Sequence, residues 1–202
     1  MQKEFIGIGS LNEIYRILEE NKAKTIFLVT GKKSFSLSGA EQKLNILLEK
    51  KEVTTFNNFS SNPKLRDVKK GIKLLQSVNS DLIIAIGGGS VIDMAKLISV
   101  LAVQKKSNLK DIIKEPALIN AKGVPLVAIP TTSGSGSQAT HFAVVYIENE
   151  KHSLAHKYVL PDYAIIDSSL SVSSPRNVAA SSAMDALSQA VESIWSINST
   201  IE

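Results

Sequence analysis

The stretch Asp81-Leu-Ile-Ile-Ala-Ile-Gly-Gly-Gly-Ser-Val-Ile-Asp-Met-Ala-Lys96 constrains this chain more than any other. Its apolar run reads as a strand buried on both faces, and three glycines then open a helix. Gly87, Gly88 and Gly89 lack side chains, so the backbone there can approach a ligand closely, and Ser90 is expected to cap the helix. Free N–H groups at such a start attract an anion, which makes the turn a candidate phosphate cradle. The spacing is neither G-x-G-x-x-G nor G-x-x-x-x-G-K-[ST], and a tight turn without a ligand is the plainer alternative. Asp93 and Lys96 stand three apart and are expected to pair on the helix surface.

The rest of the chain repeats the alternation of strand and helix that builds an α/β fold with a parallel sheet. Thr25 to Thr30 is a second doubly buried strand, and Val53 to Phe56, Pro125 to Ile129 and Ala143 to Ile147 are weaker candidates. Leu11, Ile14, Tyr15 and Leu18 form one helical stripe, and Val68, Ile72 and Leu75 form another behind Asn62-Pro63. The polar stretch from Glu148 to His156 reads as an exposed loop. After the Ser-rich run 168–174 and Pro175 the strand signals stop and helical spacing takes over. The expected division is therefore an α/β domain over 1–175 and the beginning of a helical domain over 176–202. One or two helices cannot close a core, so we expect the sequence to be either a fragment of a longer protein or a truncated gene product.

Two further segments carry candidate chemistry. Pro130-Thr-Thr-Ser-Gly-Ser-Gly-Ser-Gln-Ala-Thr140 follows an apolar run and is dense in hydroxyls. It suits a phosphorylated or polyhydroxylated ligand at the carboxyl ends of the strands, the alternative being a flexible linker. In Met184-Asp-Ala-Leu-Ser-Gln-Ala-Val-Glu-Ser193, Asp185 and Gln189 share a helix face and offer oxygens to a divalent cation; spacing alone fits a solvated stripe with Glu192 better. His152 and His156 have i, i+4 spacing without the acid of H-E-x-x-H, and His141 follows the hydroxyl loop.

Composition removes other chemistries. The 202 residues contain no cysteine, so disulfides, thiolate metal sites and a Cys nucleophile are excluded. Twenty-three Lys and Arg against 19 Asp and Glu give a net charge of +4 without a basic block, which argues against nucleic acid. No apolar run has the length of a spanning helix and no signal peptide opens the chain, so a cytoplasmic protein without a membrane partner is the expectation.

Taken in order and spacing, GGGSVIDMAK, PTTSGSGSQAT and MDALSQAVES resemble the iron-dependent (group III) alcohol dehydrogenase family, with Asn62-Pro63, Lys157-Tyr-Val-Leu-Pro161 and Ala164-Ile-Ile-Asp167 as weaker markers. The resemblance implies a Rossmann-like nucleotide-binding domain followed by an all-helical domain, the architecture of dehydroquinate synthase. It also implies NAD(P)- and metal-dependent hydride transfer between a nicotinamide and a small alcohol or aldehyde. It assigns Gly88, Gly89 and Ser90 to the cofactor pyrophosphate beside Gly87, with Asp93 in support. Thr131, Thr132 and Ser135 would line the cofactor cleft, and Lys157 and Leu160 would lie along the ribose and nicotinamide. Asp185 matches the family's first metal ligand, for Fe2+ or Zn2+. Gln189 stands where a His is usual, a departure similar to the phosphonoacetaldehyde reductase-like branch. NAD-preferring relatives often carry an Asp after the first strand; here Gly31, Lys32 and Lys33 follow, so NADP is expected over NAD, a lysine-bearing surface turn being the alternative. The expected partners are the small-molecule substrate and a second copy in a homodimer. A dehydroquinate synthase-like or glycerol dehydrogenase-like enzyme, or a non-catalytic nucleotide-binding module, are the competing readings.

Overall fold

The computed structural model describes residues 1–32, 34–105, 108–197 and 199. Lys33, and with it one of the two lysines expected at a 2′-phosphate, lies outside the described residues, as do 198 and 200–202 from the expected helical domain. The strands are β1 (Lys3–Ile6), β2 (Thr25–Thr30), β3 (Glu52–Phe56), β4 (Leu82–Gly87), β5 (Leu126–Pro130), β6 (Phe142–Ile147), β7 (Glu150–Ala155) and β8 (Tyr163–Ile166). The helices are α1 (Ile14–Glu20), α2 (Ser34–Leu37), α3 (Ala40–Leu47), α4 (Leu65–Val78), α5 (Gly89–Ala102), α6 (Leu109–Lys114) and α7 (Arg176–Trp195).

Six strands form one parallel sheet in the order β1-β8-β5-β4-β2-β3. Its central strands β2, β4 and β5 are largely apolar because both faces are covered. Phe27, Val29, Ile83, Ala85 and Ala128 pack with α4 and α5 on one side, while Ile26, Leu28, Ile84, Ile86 and Ile129 pack with α1 and α3 on the other. The chain steps outward from β2 to β3 and then crosses back to β4 and β5. The strand order therefore reverses between β2 and β4, and in open α/β sheets the crevice at the carboxyl ends of such strands is where ligands bind.

Three local expectations are corrected. Residues 150–155 are not loop: β7 pairs antiparallel with β6 in a separate hairpin, closed at Glu148 and Asn149 with φ of 52° and 76°. Such left-handed turn residues suit a tight hairpin, and Leu154 is fully buried beneath it. Ser90 does not cap α5. The cap position is Gly88, no side chain caps the helix, and the Ser90 hydroxyl accepts a hydrogen bond from the Asn62 N–H at 3.2 Å. Tyr15 is half exposed, and Ile17 takes its place in the buried stripe of α1. α7 follows Pro175 as expected but has no buried residue, and Met184, Leu187, Ile194 and Trp195 lie exposed along it. Among the described residues no helix is long and apolar enough to cross a membrane.

Candidate nucleotide-binding cleft

β4 delivers the glycines to the crest of the sheet. The Gly87 carbonyl accepts from the Thr131 N–H at 3.0 Å, so the exits of β4 and β5 are stitched together. The Gly88 carbonyl accepts from the N–H groups of Val91 and Ile92, at 2.9 and 3.2 Å, which starts α5. With no side-chain cap, the first N–H groups of this 14-residue helix are left for an outside acceptor.

The hydroxyl loop lies directly against that start. A Cβ on Gly89 would sit 3.1 Å from the side chain of Ser135, and one on Gly88 would sit 3.3 Å from the Thr132 hydroxyl. Glycine is what lets the two loops close up. Two hydroxyls beside the turn, Thr131 Oγ1 after β5 and Thr30 Oγ1 at the end of β2, are buried and have no hydrogen-bond partner. An orphaned buried hydroxyl carries a desolvation cost that a ligand can relieve. Thr30 was not singled out from sequence; its position as the last residue of a buried strand was the available signal.

α5 also holds the wall of the cleft. Asp93 and Lys96 do not pair on the surface: Lys96 is 1% exposed and Asp93 is largely buried. The Lys96 ammonium donates to the carbonyl oxygens of Thr140 and Phe142, both at 2.7 Å, and to the Thr140 hydroxyl at 3.3 Å. Asp93 accepts from the Ser137 hydroxyl at 2.5 Å and the Val144 N–H at 3.0 Å. Burial pushes the Lys96 ammonium down to about 8, against the opposing charge of Asp93. Burial also pushes the Asp93 carboxyl up, although the bonds from Ser137 and Val144 and the charge on Lys96 pull the other way.

Gly89, Ser90, Asp93, Thr132 and Ser135 face Asp185 and Gln189 across one cleft of about 660 Å³. The loop reaches α7 through Gly134, whose φ is +124° and whose Cα lies against the Ser182 carbonyl with no room for a side chain. Gly31 and Lys32 line a different recess of about 310 Å³ at the end of β2, together with Thr30, Ser36, Glu41 and Asn57. Thr131 and Thr132 also border an apolar hollow of about 290 Å³ with Leu37, Leu170, Pro175 and Val178.

Lys157 and Leu160 line none of these spaces. Lys157 sits on a 3-10 turn capped by the His156 imidazole, with its ammonium 5.3 Å from the centre of the Tyr158 ring. The lysine on the cleft wall is instead Lys151, opposite Tyr146 in the hairpin. Reading 148–156 as loop hid it; as a strand, its alternation would have put Lys151 on the same face as Tyr146.

For a metal, α7 offers Asp185 and Gln189, whose side chains touch through Gln189 Nε2 donating to Asp185 Oδ1 at 3.0 Å. Two oxygen donors one turn apart fit part of the shell of a divalent ion. Among the described residues no group of three His, Cys, Asp or Glu could complete one.

A parallel sheet with an uncapped glycine turn at its switch point defines a dinucleotide-binding class of α/β protein. Residues 2–168 match the family model of iron-containing alcohol dehydrogenases, and the chain belongs to that family. It is 33% identical to long-chain-alcohol dehydrogenase 1 of Geobacillus thermodenitrificans over 96% of this chain and 50% of that protein. Among solved structures it resembles the sulfoacetaldehyde reductase of Bifidobacterium kashiwanohense in complex with NAD+, with a TM-score of 0.88 and 30% identity over 96% of this chain and 52% of that one. It also resembles an iron-containing alcohol dehydrogenase of Thermotoga maritima, with a TM-score of 0.89 and 29% identity over 98% of this chain and 55% of that one. The chain spans about half the length of the relatives it matches.

Proposed function

We propose that this chain is the nucleotide-binding part of an oxidoreductase that moves a hydride between a nicotinamide cofactor and a small alcohol or aldehyde, with NADP(H) favoured over NAD(H). The observation that carries this reading is the pair of orphaned hydroxyls, Thr30 and Thr131, flanking the uncapped start of α5. In this reading the first amides of α5 bind the pyrophosphate, and the two hydroxyls donate to the ligand's sugar and phosphate oxygens. Thr132 and Ser135 close the cleft over it, and the apolar hollow beside Thr131 takes the adenine. Gly31 and Lys32 accept a 2′-phosphate in the recess at the end of β2, where the carboxylate of Glu41 is held by the Ser36 hydroxyl.

Asp185 and Gln189 would hold a divalent ion, Fe2+ or Zn2+, at the facing wall, and the domain boundary falls near residue 175. When bound, the ion supplies Lewis-acid polarisation of the substrate carbonyl and the nicotinamide supplies the hydride. Lys151 is the cation on the cleft wall, which favours an aldehyde carrying a phosphonate or sulfonate group.

Fluorescence titration of the 202-residue chain with NADPH and NADH tests the reading. We expect saturable binding of both, tighter for NADPH, and loss of both in a Thr30→Val, Thr131→Val double variant. Absence of binding by either nucleotide to the folded chain would overturn it.

A further inference from the structure

A second cavity, of about 380 Å³, opens between the start of α4 and the turn of the β6–β7 hairpin. It shares only Tyr146 with the cleft described above. Four cations line it, Lys64, Arg66, Lys69 and Lys110, facing one carboxylate, Glu148. Glu148 is engaged by Lys110 at 2.5 Å. Arg66 comes no closer than 3.9 Å to Asp67, which Lys70 already holds at 2.9 Å. Among the described residues neither Lys64 nor Lys69 has a carboxylate within ion-pair distance. The chain as a whole carries a net charge of only +4, so this concentration of positive charge is local.

The cavity is built on a fixed floor. The Tyr146 N–H donates to the Pro63 carbonyl at 2.7 Å, and Lys64 and Tyr146 form an isolated bridge that pins α4 to the hairpin. Leu65 and Ile147, 5% and 6% exposed, close it from below. Cations converging on a concave surface focus their field into it and repel one another until an anion arrives.

We propose that this cavity binds a phosphorylated small molecule at a site separate from the nucleotide cleft. The volume is that of a small-molecule pocket rather than of a peptide groove. A guanidinium fork among lysine ammoniums matches phosphoryl oxygens, the one bidentate and the others as point charges. The proposal stands whether or not the cleft above holds a nicotinamide nucleotide.

The test is calorimetric titration of the 202-residue chain with inorganic pyrophosphate, with and without saturating NADPH, at low and at physiological salt. We expect binding that persists under saturating NADPH, which occupies the cleft, and that salt weakens. It should fall at least tenfold in an Arg66→Glu, Lys69→Glu double variant, and in Arg66→Ala, Lys69→Ala as a milder check, both folded by circular dichroism. The same variants should leave NADPH affinity within twofold. No heat with pyrophosphate, full displacement of pyrophosphate by NADPH, or binding indifferent to both variants would overturn the proposal. Tighter binding of a poly-glutamate peptide than of pyrophosphate would overturn it in favour of a protein partner.

Discussion

The buried ammonium of Lys96 donates a 2.7 Å hydrogen bond to the carbonyl oxygen of Phe142. One turn earlier on the same helix, Asp93 accepts from the N–H of Val144. The β6–β7 hairpin shares no ladder with the main sheet, so these bonds index it to α5 and hence to the glycine turn.

Lys96→Met leaves the carbonyls of Thr140 and Phe142 and the partly buried Asp93 carboxylate without their cation. Stability should fall by on the order of 3 kcal/mol, read from urea unfolding. Faster hydrogen exchange confined to residues 137–155 at low urea should accompany it, because those residues lose their anchor first.

Gly89→Val places two methyl groups where Ser135 stands 3.1 Å from a single Cβ, at the mouth of the proposed pyrophosphate site. Nucleotide affinity should drop by about tenfold or more, a change of roughly 1.4 kcal/mol. The melting temperature should fall by only a few degrees, since the clash is with the small side chain of Ser135 in a loop.

Gly31→Asp introduces a carboxylate at the end of β2 beside Lys32, with the Ser34 side chain turning aside to admit it. Repulsion of a 2′-phosphate should reverse the nucleotide preference, so that fluorescence titration finds NADH bound more tightly than NADPH. An unchanged ratio would remove Gly31 from the selectivity argument.

Asp167 contributes to stability in a pH-dependent way. Burial works against its charge, but the bonds from Ser169, Leu11 and Gly9 outweigh it and hold the carboxyl below the ordinary value of 3.8. A carboxyl depressed on folding binds fewer protons in the native state. The stability it contributes is therefore complete above its unfolded pKa and is lost as pH falls through its folded one. Asp167→Asn should be less stable at neutral pH and should flatten the loss of stability on acidification below about pH 4.

Strands β2 and β4 were legible because burial on both faces leaves no polar residue to break the run. β1 and β8 were not. They are four residues each, and the first, Lys3-Glu-Phe-Ile, is an edge strand whose outer positions stay wet. β7, with Glu150, Lys151, His152 and Ser153, looked like loop because most of its side chains remain outside the core and only Leu154 is fully covered. The same bias hid Asp93 and Lys96: charge three apart on a helix signals a surface until tertiary acceptors such as Thr140 and Phe142 are known. The three motifs GGGSVIDMAK, PTTSGSGSQAT and MDALSQAVES do meet around one cleft, which their sequence separation alone could not say.

A Cβ on Gly134 would collide with the Ser182 carbonyl, so the loop and α7 approach each other main chain to main chain. The strap bearing Thr132 and Ser135 and the helix bearing Asp185 thus share a fulcrum. No side chain fits at that crossing, so a single methyl group at position 134 would force the two walls of the cleft apart.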